Sequence, residues 1–267
     1  MPPARTTARK TTTAKPAKAP VPRTTLAQAM TALEKAGSAQ TRKTYARHGA
    51  VGPMFGVSFA VLKELTKRIG VDHELALALW ATGNLDARNL AAKVVDPARM
   101  SSADLDRWAR ESLASRTWGG YVGMVAAEGP HARKKAELWL AAKDETVRCV
   151  GWSLVAHLAH RDEELPDSFF QALLATIERS IDDAPNVERG NMNLAVIAIG
   201  CRGTALRKSA TATAKRIGKV EIDHGDTACK TPDAAATIEK AWAHATAKGH
   251  PSPAALERTR ETPRRRC

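Results

Sequence analysis

Aromatic side chains are scarce in this chain: two Tyr, four Phe and six Trp make up 4% of 267 residues. Sandwiches and barrels draw on aromatic and β-branched residues. Here an apolar fraction of 43%, carried mainly by alanine and leucine, points to helices instead. No apolar run reaches the roughly 18 residues of a membrane-spanning helix, so no membrane association is expected. Cys149, Cys201, Cys229 and Cys267 are scattered and form no Cys-x-x-Cys pair. Neither a zinc knuckle nor a disulfide scaffold is expected, and a reducing cytoplasm fits best. There is no P-loop, no dinucleotide Gly-rich loop, no Gly-x-Ser-x-Gly elbow and no His-Glu-x-x-His. Nucleotide hydrolysis, redox chemistry and zinc proteolysis therefore have no support. No metal and no small-molecule cofactor is expected.

Acidic residues are also in deficit. Lys+Arg number 41 against 28 Asp+Glu, for a net charge of +13. Much of the excess sits at the ends. Residues 1–25 hold Arg5, Arg9, Lys10, Lys15, Lys18 and Arg23 and no acid. Residues 257–267 hold five Arg against Glu257 and Glu261, which leaves +4 on the body. Nucleic acid is the polyanion that selects such ends, because each phosphate neutralised releases counterions. Residues 1–25, rich in Pro, Thr, Ala and Lys, read as a disordered basic tail without the apolar stretch of a secretory signal. Their basic, Thr-rich composition is also that of an organellar transit peptide. Residues 251–267 read as a second disordered basic tail, and 26–250 as one helical domain.

Within 26–250 the helical patterns succeed one another. Leu26–Ala36 stops at Gly37. Ser58 can cap Phe59–Ile69, Asp72 the helix through Trp80, and Asn84 the next, which Pro97 stops. Ser101 with Asp104 has the form of a capping box. Val147, Val150, Leu154 and Leu158 share one face; Phe170, Leu174, Ile177 and Ile181 share another. Thr231-Pro232-Asp233 reads as a helix start with Thr as cap. No alternating strand pattern competes. About a dozen helices of uniform length, in pairs of roughly 40 residues, predict an all-α, HEAT-like α-solenoid of paired antiparallel helices. An irregular all-α domain would show the same periods.

Certain stretches are more specific: Tyr45-Ala46-Arg47-His48-Gly49, then Phe55-Gly56-Val57-Ser58 with Leu62 and Leu65, Lys67-Arg68-Ile69-Gly70, Leu79-Trp80-Ala81-Thr82-Gly83, and Asp223-His224-Gly225-Asp226 through Pro232. From about Leu26 to Lys248 the chain resembles the DNA alkylation repair family of HEAT-like repeat proteins. The resemblance implies a solenoid whose basic concave face cradles duplex DNA; a monomer is expected. It also implies a glycosylase that cuts the N-glycosidic bond of cationic alkylated purines. There a carboxylate and Trp faces would stabilise the positive charge developing on the sugar.

The catalytic pattern itself departs from the family. The resemblance calls for a Trp and, four residues on, an Asp; alignment puts that Asp near Gly119, and no carboxylate occurs between Glu111 and Glu128. Trp118 stands nearby, out of step. The family's helical Arg falls near Val150 or, shifted, on Arg148. A second Trp, expected between Ile197 and Cys201, is missing.

The acidic loop 221–230 offers substitutes. Asp223 and Asp226 are the candidate catalytic carboxylates, with His224 and Lys230 as DNA contacts beside a helix start. A solvated turn is the plainer reading of that loop. Trp118, Arg42, Lys43, Arg47 and Arg148 complete the nucleic-acid candidates. Trp118 is a stacking residue or a core one, and Arg42, Lys43 and Arg47 a phosphate-contacting edge or a solvated helix end. Arg133-Lys134-Lys135 carries the same ambiguity. His157 and His160 read as helix surface. Two functions follow: excision or recognition of alkylated bases in double-stranded DNA, or a non-catalytic DNA-structure binder or protein scaffold.

Overall fold

The computed structural model describes residues 23–112 and 120–266. Among them are fifteen α-helices, a 3-10 turn at Pro97–Arg99 and no strand. The first half comprises α1 (Leu26–Ala36), α2 (Ala39–Arg47), α3 (Phe59–Ile69), α4 (His73–Ala81), α5 (Leu85–Val94), α6 (Ser102–Glu111) and α7 (Gly120–Ala127). The second comprises α8 (Ala132–Leu140), α9 (Glu145–Arg161), α10 (Asp167–Ser180), α11 (Asn186–Gly200), α12 (Thr204–Ile217), α13 (Ala234–Ala247), α14 (Pro253–Arg258) and α15 (Pro263–Arg266). Ser58, Asp72, Asn84 and Ser101 each accept a backbone N–H in the first turn of the helix they precede. No helix among the described residues is long and apolar enough to cross a membrane.

The helices form the expected HEAT-like solenoid. α5, α7, α9, α11 and α13 touch in succession as one layer, and α4, α6, α8 and α12 pack on them as the other. α9 is the spine. Its face of Val147, Val150, Leu154 and Leu158 is buried against α7, α8 and α11. A Cβ on Gly123 of α7 would stand 2.8 Å from the Leu154 backbone N, so a glycine lets these two backbones approach. Phe170, Leu174 and Ile177 of α10 are buried as their spacing predicts.

The C-terminal segment differs from expectation. Residues 251–266 are not a disordered tail; they form α14 and α15, and Arg264 is 3% exposed. Its guanidinium donates to the carbonyls of Ala92, Lys93 and Val95 at the end of α5 and pairs with Glu128 at 2.9 Å. Buried Lys93 donates its Nζ to the Arg264 carbonyl at 2.7 Å. A helix C-terminus presents unpaired carbonyls, and a cation there completes them. Composition marks this segment as basic but carries no sign of that acceptor. Of the N-terminal tail, residues 1–22 lie outside the described residues.

His157 and His160 also depart from a surface reading. Both are half-buried on α9. Burial first, then the neighbouring His160 and Arg161, push His157 down to about 3; burial and Arg258 push His160 down to about 4. Folded, both imidazoles refuse a proton that the unfolded chain accepts near pH 6.5. Stability should therefore hold above about pH 6.5 and decline as the pH falls from there toward 4. Urea midpoints at pH 7 and 5 should differ less in His157→Gln/His160→Gln than in the parent; an equal loss would assign the acid sensitivity elsewhere. Arg264→Ala should cost about 3–5 kcal/mol, because Glu128 is left buried without its partner. A loss in urea melts below about 0.5 kcal/mol, the range of surface sites, would show that α15 contributes nothing.

Candidate nucleic-acid interface

The site begins at the Phe55-Gly56-Val57 turn. Asp86, fully buried at the second position of α5, accepts the backbone N–H groups of Phe55, Gly56 and Val57 at 2.7, 2.9 and 2.9 Å. Among the described residues it has no ion-pair partner; three N–H donors and the positive end of α5 hold the charge instead. The carbonyls of the same turn face α2. Ser38 N–H donates to Gly56 at 3.0 Å, Arg42 to Phe55 at 3.0 Å, and the Tyr45 hydroxyl to Val57. Gly56 has φ +78, and a Cβ there would lie 2.6 Å from the Ser38 carbonyl. The turn thus fastens α2 to α5, and with it the exposed Lys43, Arg47 and His48.

Across from the end of α2 lies the segment 218–233, which has no regular structure. Three side chains of α11, at spacing i, i+3 and i+7, hold it. Asn186 exchanges two hydrogen bonds with the Asp223 backbone, both 2.8 Å. Arg189 reaches the Glu221 carbonyl at 3.3 Å, and Asn193 reaches that of Pro232 at 2.9 Å. Between this segment, α11 and the end of α2 is a cleft of about 560 Å³. Arg47, His48, His224 and Lys230 line it, with Asp223 as its carboxylate and Val187, Leu194 and Ile222 as apolar floor. At one point the Cys229 Sγ lies 4.0 Å from the His48 Nδ1.

The structure therefore brings Arg47 to Asp223, His224 and Lys230, more than 170 residues further along the chain, around one cleft; Arg42 and Lys43 sit on the same helix as Arg47. Asp223 accepts Gly225 N–H at 2.8 Å, closing the loop, and exposed Asp226 does not line the cleft. His224 Nε2 lies 3.0 Å from the Thr231 hydroxyl. Thr231 is not the cap of α13: that role falls to Asp233, whose carboxylate accepts Ala236 N–H at 2.7 Å.

Arg148 stands apart. Glu188, 3% exposed, binds its guanidinium at 2.8–3.0 Å, and the Ala142 and Lys143 carbonyls accept from its Nη1. Beside this pair, burial and then Glu188 push the Cys149 thiol up to about 12. The Arg133-Lys134-Lys135 cluster is neutralised: Arg133 pairs with Asp162 at 3.0 Å, and buried Lys135 with Asp106 at 2.6 Å. Trp118 lies outside the described residues. α7, which follows it, carries no carboxylate. Sequence reasoning missed Asn186, Val187, Leu194 and His48. The polar positions 186, 189 and 193 beside the apolar stripe of α11 were the available signal.

Comparison with known proteins agrees with this architecture. The profile of the family described as DNA alkylation repair enzyme matches residues 29–234. Uncharacterised proteins of Listeria innocua and Listeria monocytogenes are each 27% identical over 224 residues, covering 81% of this chain and 97% of theirs. A solved structure superposes with a TM-score of 0.72 at 28% identity, over 85% of this chain and 95% of the other. It is described as one of a new family related to the HEAT-like repeat DNA glycosylases with affinity for branched DNA structures.

Asp86→Asn keeps the shape of the turn clamp but turns an amide N–H toward backbone N–H groups. Hydrogen bonds to charged groups contribute about 1.5–3 kcal/mol each, so a loss of at least about 3 kcal/mol is expected in urea melts. A near-neutral substitution would mean that the turn is held by α2 alone.

Proposed function

Since the chain belongs to the DNA alkylation repair enzyme family, we propose that it is a monomeric binder of double-stranded DNA that recognises branched or otherwise distorted structure. One observation carries this reading: cations from opposite ends of the fold, Arg47 of α2 and Lys230 of the 218–233 segment, converge on one cleft. With Lys43 beside them they form an edge suited to a sugar–phosphate backbone, where cations set affinity and position. The structural relative with affinity for branched DNA supports the choice of ligand. The deeply buried Cys149 and Cys201 thiols, both raised in pKa by burial, suit a reducing compartment such as the cytoplasm.

Excision of alkylated bases is the second reading, favoured by one observation: Asp223 lines the cleft beside His224. A carboxylate there could stabilise positive charge on a sugar. Against it, the same carboxylate closes its own loop through Gly225.

DNA affinity should fall steeply with salt. Lys43→Ala and Arg47→Ala should each lower the slope of log K against log salt by about 1, the loss of one phosphate contact. Arg148→Ala should leave that slope unchanged and lower thermal stability instead. Equal slopes in all three variants would remove α2 from the interface. Free base released from alkylated duplex, at a rate about 100- to 1,000-fold lower in Asp223→Asn, would establish the excision reading.

A further inference from the structure

We infer that the cleft between α2, α11 and the 218–233 segment is a receptor for a single unpaired nucleotide of the bound DNA. The inference rests on the DNA-binding reading above. Size, lining and surroundings point the same way. At about 560 Å³ the cleft is within the range that encloses ligands of nucleotide size, roughly 300–1,000 Å³, and is too small to enclose a duplex. Its floor is apolar: half-buried Val187 and Ile222, with Leu194 still 37% exposed. Val187 and Leu194 are seven residues apart on α11, so both present to the same side of the helix.

Arg47 and Lys230 stand on the walls. An apolar floor flanked by two cations suits a nucleotide with its base on the floor and its two phosphates on the rim. A paired base cannot use it, because its faces are stacked inside the duplex. A base that is already unpaired enters at the least cost, since unstacking and unpairing need not be supplied by the protein. The floor is fixed before any ligand arrives, because Asn186, Arg189 and Asn193 hold the opposite wall onto α11. The cleft would thereby prefer bulges and branch points over intact duplex through its apolar floor, while Arg47 serves both the cleft and the α2 edge.

The test uses the full chain and two DNA probes: a duplex with one unpaired 2-aminopurine, and the same duplex without the bulge. The bulged probe should bind about tenfold tighter, and its fluorescence should rise as the base leaves the stack for an aliphatic floor. Leu194→Gln and Ile222→Gln should bring the ratio of bulged to intact-duplex affinity close to one. In the unaltered protein, bulged DNA should slow alkylation of exposed Cys229, read by peptide mapping, more than intact duplex does; this readout decides the matter if a variant misfolds. A bulge preference unchanged in both variants, with Cys229 unprotected, overturns the inference and leaves the DNA-binding reading standing. Equal affinity for the two probes also overturns it. Failure to bind either probe at low salt sinks both.

Discussion

The buried carboxylate of Asp86 is the interaction on which the functional face depends. An unpaired charge in a protein interior is prohibitive unless donors surround it. Here three consecutive backbone N–H groups and the N-terminus of α5 do so. The arrangement can only form if residues 55–57 adopt one conformation, with Gly56 at positive φ. That conformation turns the carbonyls outward, and α2 is docked through them. Arg47 owes its position on the cleft to a carboxylate three helices further along the chain.

The opposite wall is built on another logic. Segment 218–233 forms no helix, so its backbone groups need partners from elsewhere. α11 supplies them from one polar stripe next to its apolar one. A segment held this way keeps its side chains exposed, and those of Lys230 and Cys229 face the cleft. Rigid support beneath an irregular segment is how a loop can carry a binding surface without local secondary structure.

Charge is sorted across the molecule. Arg148, Arg133, Lys135 and Arg264 are each answered by a carboxylate, or by the open end of a helix. Arg47 and Lys230 have no ion-pair partner among the described residues and meet on the cleft. The net positive charge of the body is modest, and its effect comes from where the unanswered cations remain. A surface of this kind attracts a polyanion at one place rather than everywhere.

The amino-acid sequence by itself determined the helices, most of their caps and the repeat architecture. These depend on contacts within one turn: Ser58 to Val61, Asp72 to Leu75, the i, i+3, i+4 stripe of α9. It also marked 221–230 as the segment with the densest chemistry. What tertiary structure decided was the fate of each charge. Arg148 meets Glu188 across forty residues, and Lys93 meets Arg264 across 171. Arg47 meets the 222–230 loop only because α2 is fastened to α5 and that loop to α11. The order of residues carries no record of separations this long. A basic tail and a buried helix cap, or a phosphate contact and half of an internal ion pair, are therefore written in the same letters, and the packing of the helices distinguishes them.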